Sequence, residues 1–365
     1  MGESYDVAIA GGGIVGAACA AECAAAGLSV VMVEPGTIGG GATAAGMGHI
    51  VVMDDSPAQI ALTRYSRELW IALAPELPED VEYVSAGTVW VAADEEEINE
   101  VVRKKRVYDS IGVRAEVLNA AELAQAEPRL RPGLAGGLMV PDDAVIYPPC
   151  AAHFLMERAR QHGTVLRGGA LTAEGFQLRD GSSVSAGITV NATGAWAPEI
   201  APGLAVRKRK GHLVITDRYP GFVRHQLVEL GYLKSAHSTA ADSVAFNVQP
   251  RKTGQLLIGS SRQFGAEQSS VDSHMLTAML ARARCYMPEI AMLSAIRTWT
   301  GFRAATADKL PLIGPCPGQP RQYLATGHEG LGITTSLATG RLVVDQILGR
   351  TPAIPAEPYL PGRMM

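Results

Sequence analysis

Three glycines, Gly11, Gly13 and Gly16, follow a short apolar run without a break and hold the G-x-G-x-x-G spacing. In such a spacing the first glycine allows a tight turn, the second lets the backbone approach a pyrophosphate, and the third lets a helix lie close to a strand. The helix that follows points unpaired N–H groups and the positive end of its dipole at the phosphates. Glu34 stands about 20 residues past the turn, where a carboxylate accepts hydrogen bonds from ribose hydroxyls and repels a 2′-phosphate. This pattern disfavours NADP and leaves NAD and FAD open. A second glycine-rich loop, GHEGLGIT (Gly327 to Thr334), feeds a helix and offers N–H groups to an anion in the same way.

The elements that position these loops follow from apolar patterning. YDVAIA (Tyr5 to Ala10) and LSVVMVE (Leu28 to Glu34) read as buried parallel strands, and the Ala-rich stretch from Ile14 to Ala26 reads as a helix ended by Gly27. Together they make one βαβ unit of about 30 residues. The stretch PGTIGGGATAAGMGHIV after Glu34 is too long for a turn and too apolar for a linker, so it is expected along a ligand. Further helices are expected at Arg64 to Leu73, Glu95 to Ile111 (a charged surface helix), Ala151 to Gly163, Ser273 to Tyr286 and Ile333 to Leu348. Val81 to Asp94 reads as a hairpin turning near Ala86-Gly87, and SAGITVNATGAW as a strand returning to the sheet. A second β-rich region surrounds His212, Phe246 and Leu257, and the proline-rich end from Thr351 reads as an extended tail.

At 365 residues the chain suits two domains. A net charge of −4 provides no broad positive field for nucleic acid or an anionic membrane, so small molecules are the expected partners. Five cysteines without CxxC spacing argue against a disulfide framework, a cluster or a zinc site, and suit a reducing cytoplasm. The apolar N-terminus begins with Glu3 and Asp6 and is broken by glycines, so neither a targeting peptide nor a membrane span is expected. No GxSxG elbow, HExxH or metal-ligand cluster stands in the sequence, so redox chemistry must come from a bound cofactor.

Taken in order, GGGIVG with Glu34, GGGATAAGMGHI, NATGAWAPEI, TGFRAATADKLPLIG and ATGHEGLGIT span nearly the whole chain. They resemble the D-amino-acid oxidase superfamily, in its glycine oxidase and sarcosine oxidase branch. The resemblance implies an α/β fold: a Rossmann-like FAD-binding domain of segments 1–78, 142–205 and 298–365, with a second, antiparallel β-sheet (α+β) substrate domain of segments 79–141 and 206–297. It implies that Gly11, Gly13, Ile14, Val15, Gly16, Glu34 and Pro35 hold the adenosine and pyrophosphate. Thr43, Ala44, Gly46 and Met47 are carried to the phosphate and flavin edge, Leu171 to the adenine, and Thr193, Gly194 and Trp196 to the ribose side. Gly301 and Arg303 precede the last loop, where Gly327, His328, Gly330, Leu331, Gly332, Ile333 and Thr334 are placed along the flavin. The resemblance also implies that FAD is noncovalent, because Ala304-Ala305-Thr306 follow Arg303 where covalently flavinylated relatives carry a cysteine.

On the substrate side, relatives place an arginine at Arg303 to clamp an amino-acid carboxylate, which a guanidinium fork suits. The alternative is a structural pair with Asp308. Asn247 takes the position where relatives often have a substrate-contacting tyrosine. His49 and His328 flank the flavin in the sequence order, and His49 is the candidate base, although a neutral amine needs none. The basic run Arg207 to Lys210 reads as a solvated face, or as an FMN-phosphate contact at a subunit interface. GHLVITDRYPGFVRHQLVELGYLKSAHS and SVAFNVQPRKTGQLLIGSSRQ resemble the FAD subunit of bacterial D-hydroxyproline dehydrogenases. The resemblance therefore implies oxidation of a carboxylate-bearing, secondary or cyclic, D-configured amine to its imine. Electrons would pass to flavoprotein or iron–sulfur partner subunits. A stand-alone glycine, sarcosine or D-amino-acid oxidase and a catalytically silent flavin-holding subunit remain alternatives.

Overall fold

The computed structural model describes residues 3–231 and 242–364; the segment YLKSAHS from Tyr232, part of the D-hydroxyproline dehydrogenase resemblance, lies outside the described residues. The chain forms two compact units, one of Met1–Val81, Tyr147–Arg209 and Phe302–Met365, the other of Glu82–Ile146 and Lys210–Gly301. Each is built from more than one stretch of sequence.

In the first unit β1 (Glu3–Ala10), α1 (Ile14–Ala25) and β2 (Val30–Glu34) follow one another as the apolar pattern predicts. Residues Val7 to Ala10 and Val30 to Val33 are buried throughout, as unbroken hydrophobic runs of a parallel sheet should be. β1 lies between β2 and the strand Val184–Asn191, both parallel to it. The sheet has seven strands and ends at each edge in an antiparallel hairpin, Leu312–Cys316 with Gln319–Thr326 and Val165–Thr172 with Gly175–Leu178. α1 packs on the C-terminal helix Gly332–Ile347, and a Cβ on Gly340 would stand 2.8 Å from the Ala18 carbonyl oxygen. That glycine is what lets the two backbones touch.

The helix Pro57–Leu73 starts well before Arg64, because Ser56 caps it by accepting from the Gln59 N–H (3.1 Å) and a proline opens it. Its fully buried Trp70 donates from Nε1 to the carbonyls of Ile333 (3.3 Å) and Thr334 (3.2 Å), so the helix is tied to the start of the C-terminal one. The end of the chain is not an extended tail. It forms two 3-10 turns, Glu357–Tyr359 and Pro361–Met364, because the Tyr359 ring is buried and its hydroxyl donates to the Ala58 carbonyl at 2.6 Å.

The second unit is organised on an eight-stranded sheet. Phe246 on the strand Ser243–Pro250 stacks on Tyr286 of the helix Ser273–Tyr286, with ring centroids 4.6 Å apart. Glu229 accepts from the Phe246 N–H (2.5 Å), the Tyr286 hydroxyl (2.9 Å) and Arg282, so this buried carboxylate is compensated on several sides. Val81 to Asp94 is not a hairpin. Val81 ends a 3-10 turn, Val84 bridges to Val145, and only Thr88–Ala92 is a strand, antiparallel to Gly136–Val140 and parallel to Gln226–Glu229. Alternating apolar residues look alike whether the partner strand is adjacent in sequence or far from it. The helix Glu95–Ser110 presents most of its charges to solvent, but Lys104 is fully buried, 4.3 Å over the Trp90 ring. Among the described residues no helix is long and apolar enough to cross a membrane.

Gly340→Val should cost about 1–3 kcal/mol through overpacking against Ala18, seen as a lower urea midpoint. An unchanged midpoint would show that the helix pair parts freely.

Candidate functional site

At the end of β1 the Gly11 N–H donates to the Val33 carbonyl at 2.9 Å and φ turns to +101°. A Cβ there would meet the Ala192 oxygen at 2.7 Å, and one on Gly16 would stand 2.0 Å from the Gly11 oxygen. Both glycines are therefore required by the packing of the chain itself. Gly13 differs, with an ordinary φ of −68° and only the Thr43 Oγ1, at 3.3 Å, near an added Cβ. Its bare backbone keeps space open at the N-terminus of α1, where no side chain of the capping residue is bonded. The Ile14 N–H donates to Thr43 Oγ1 (3.0 Å), which fastens the loop after β2 to that helix end. Val15 lies on the other side, its Cγ2 3.7 Å from where a Cβ on Gly332 would be.

Glu34 folds back on the glycine loop. Its Oε2 accepts from the Gly12 N–H and its Oε1 from the Gly36 N–H, each at 2.6 Å, so the carboxylate is held at the tip of β2. Pro35 beside it accepts at its carbonyl from Arg179. Leu171 sits on the strand Val165–Thr172 opposite Phe176. Thr193 donates from Oγ1 to Asn191 Oδ1 (2.7 Å), and Gly194, at φ +62°, accepts from Thr326 Oγ1 (2.8 Å). Trp196 is 39% exposed, edge-on to Phe302 with Lys208 Nζ 5.7 Å over its ring.

Thr43 and Ala44 lie on one helical turn, Gly41–Ala44, followed by Gly46 and the buried Met47. A Cβ on Gly46 would press within 2.6 Å of Ile333 Cδ1, and Thr334 Oγ1 donates to the His49 carbonyl at 2.7 Å. The loops of residues 41–49 and 327–334 thus meet. In the latter, Gly327 (φ +79°) approaches Thr306 and the Glu329 N–H donates to the Ala304 carbonyl at 2.8 Å. The helix Gly332–Ile347 carries no side-chain cap and no acid in its first turn. Its positive end stays available to an anion.

His328 is buried, with Nε2 3.0 Å from Thr339 Oγ1, and Thr339 in turn donates to the Thr335 carbonyl at 2.9 Å. The histidine must then donate from Nε2. Burial pushes it down to about 3, so it is neutral at physiological pH and unsuited to take a proton.

The Arg303 side chain runs beside Gly330, its Nε 3.7 Å from where a Cβ would be. Asp308, its alternative partner, is held by Arg363 at 2.7 Å. Gly301 lies two positions earlier on the same strand, Ala295–Ala305. The basic run is not a solvated face. Lys208 pairs with Glu199 (3.2 Å), buried Arg209 pairs with Glu329, and Lys210 is buried, because the run lies on the strand Arg207–Thr216. The pairing of Arg209 with Glu329 has no counterpart in the sequence reading, because the two residues lie far apart in the chain. In the second unit, Asn247 is 7% exposed and lies on the sheet face opposite the core side chains Phe246 and Val248.

The profile of the FAD dependent oxidoreductase (DAO) family matches residues 6–346 of the chain. Glycine oxidase of Geobacillus kaustophilus is 30% identical over 98% of the chain and 97% of its own length. Its crystal structure superposes with a TM-score of 0.88, at 29% identity over 99% of both chains. Hydrogen cyanide synthase subunit HcnC of Pseudomonas aeruginosa is 27% identical over 100% of the chain and 97% of its own length.

Below its ordinary value of 6.5 an accessible His328 would take up a proton in the unfolded chain, whereas the folded protein holds it neutral down to about 3. Stability is therefore lost as pH falls from 6.5 toward 3, at up to about 1.4 kcal/mol per pH unit. His328→Asn should flatten this stretch of the stability–pH curve. A variant with the wild-type slope would place the acid sensitivity elsewhere.

Proposed function

Since the chain belongs to the FAD dependent oxidoreductase (DAO) family and is an FAD-dependent amine oxidoreductase, we propose that it oxidises a carboxylate-bearing, secondary or cyclic, D-configured amine to the imine. D-hydroxyproline is the leading candidate. The observation that carries this reading is the Arg303 guanidinium lying beside Gly330, next to the uncapped start of the Gly332–Ile347 helix.

The described residues fit noncovalent FAD. Gly13 leaves room for a phosphate before α1, Glu34 is fixed where a ribose would offer hydroxyls, and the uncapped C-terminal helix suits the electron-rich edge of a reduced flavin. Bound FAD supplies the hydride acceptor. Arg303 orients the substrate by a two-pronged contact to its carboxylate, and the contact holds the reacting C–H in place. Neutral His328 stabilises the loop and takes no proton. His49, whose backbone carbonyl accepts from Thr334, is the remaining imidazole on these loops and the candidate base where one is needed.

Relatives support two routes for the electrons. HcnC is named as a subunit, which favours transfer to a partner flavoprotein or iron–sulfur protein, while the glycine oxidase favours oxygen as the alternative acceptor. The FMN contact is not carried into this reading, because Lys208 and Arg209 are spent on Glu199 and Glu329. All five cysteines are free thiols, which supports a reducing cytoplasm.

Anaerobic mixing of the FAD-loaded protein with cis-4-hydroxy-D-proline, sarcosine or glycine at ~1 mM should bleach the flavin with the hydroxyproline. No bleaching with any amino acid would overturn the enzyme reading, and rapid reoxidation by air would favour the oxidase. Arg303→Ala should lower kcat/KM by about two to three orders of magnitude, mostly through KM, with Arg303→Lys recovering part of it. An unchanged KM would return Arg303 to a structural role.

A further inference from the structure

The last glycine loop holds one residue that its backbone does not favour. Glu329 adopts φ +48° between Gly327 and Gly330, a left-handed conformation that glycine takes freely and a residue with a Cβ takes only at a cost. An outlier of this kind points to a role for the side chain that is kept there. That side chain has a fixed partner. The carboxylate is paired with Arg209, whose side chain is 5% exposed against 14% for Glu329. A buried guanidinium and a largely buried carboxylate satisfy each other only in a narrow geometry, so the pair decides which way Glu329 faces.

The consequence falls on Arg303. The Glu329 N–H donates to the carbonyl of Ala304, the residue after Arg303, at 2.8 Å. Gly330, the residue after Glu329, is the one the Arg303 side chain runs beside, with Nε 3.7 Å from where a Cβ would be. Two successive loop residues thus meet Arg303 at its main chain and along its side chain. Arg209, Arg303, Ala304, Glu329 and Gly330 all belong to the first unit. Any residue at position 329 offers the same N–H, but only the carboxylate ties it to Arg209. A guanidinium fork binds a carboxylate through two parallel bonds, which both weaken when the fork turns, so its orientation has to be held by the residues behind it.

We propose that the Arg209–Glu329 ion pair is the positioning element of the carboxylate clamp: it aims the Glu329 N–H at Ala304 and so holds the Arg303 guanidinium in the orientation that receives the substrate carboxylate. This rests on the amine-oxidation reading above, in its assignment of Arg303, and adds two residues that act without touching substrate. Charge and positioning predict opposite effects at Glu329. Removing its charge leaves Arg209 as a bare cation, which by field alone strengthens the binding of a carboxylate. Loss of positioning weakens it.

The test titrates tetrahydrofuran-2-carboxylate and its uncharged carboxamide into the FAD-loaded protein by calorimetry, so no turnover is needed. The wild type should bind the carboxylate about 100-fold more tightly than the amide, and Arg303→Ala should abolish that preference. Glu329→Gln, which keeps the N–H and the shape, should shrink the preference by about tenfold. The double variant Arg209→Met with Glu329→Gln leaves no interior charge unpaired, and it should shrink the preference as far as Glu329→Gln does and no further, because the two residues act as one unit.

A preference unchanged or increased in Glu329→Gln overturns the inference. Should that variant fail to fold, an unchanged preference in the double variant overturns it equally. A lower urea midpoint with the preference intact marks a pair that only stabilises the fold, and overturns it too. If the wild type itself does not prefer the carboxylate, the clamp at Arg303 falls and its positioning pair with it. A preference lost in Arg303→Ala but kept in both Glu329 variants leaves the clamp standing and removes the pair from it.

Discussion

The contact between the Gly11 carbonyl and the α-carbon of Gly16 sets the geometry from which the first unit follows. A methyl group at position 16 would need to sit 2.0 Å from that oxygen, so α1 can approach the end of β1 only with no side chain there. Once it does, the first turn of α1 is fixed relative to Glu34 through the bond from Gly12 and relative to Thr43 through the bond from Ile14. The same logic recurs on the far side of α1, where Gly340 lets the C-terminal helix touch Ala18. Two helix starts, one near each end of the sequence, are brought to neighbouring places by two glycine contacts. Val15, beside Gly332, marks where they meet.

How much could be read in advance depended on whether the controlling interaction was local. β1, α1 and β2 were legible because each carries its own signal: unbroken apolar runs, an alanine-rich helix and Gly27 to end it. The helix Ser273–Tyr286 was legible for similar reasons, since Asp272 caps it by accepting from His274 and Met275. Val81 to Asp94 reads as a hairpin and is not one, because strand partners are not written in the strand, and Thr88–Ala92 finds its neighbours around residues 136–140 and 226–229. The end from Thr351 reads as an extended tail and is not one, because one tyrosine, Tyr359, finds its bond at Ala58, across most of the sequence.

The candidate site divides along the same line. Glycine spacing announced the tight turns of the two glycine loops, because backbone conformation is a local matter and few residues tolerate it. The burial of Thr88 and Gln226 was invisible, since nothing distinguishes a polar residue on a buried sheet face from one on a wet face until burial and register are known. The basic run shows the converse. Four consecutive cations look like a solvated strip, but a strand alternates its side chains and draws some of them inward, here to Glu329.

That last pair carries an electrostatic consequence for the loop. Glu329 sits at φ +48° beside the uncapped start of the Gly332–Ile347 helix, where a bare carboxylate would oppose any anion the helix dipole attracts. Arg209, 5% exposed at its side chain, cancels that charge within the protein. The Glu329 backbone meanwhile donates to Ala304 on the strand that bears Arg303. One residue therefore couples the glycine loop to that strand, and its ion pair keeps its carboxylate from opposing the positive end of the helix. An acid beside an uncapped helix start is tolerable because Arg209 balances its charge within the protein.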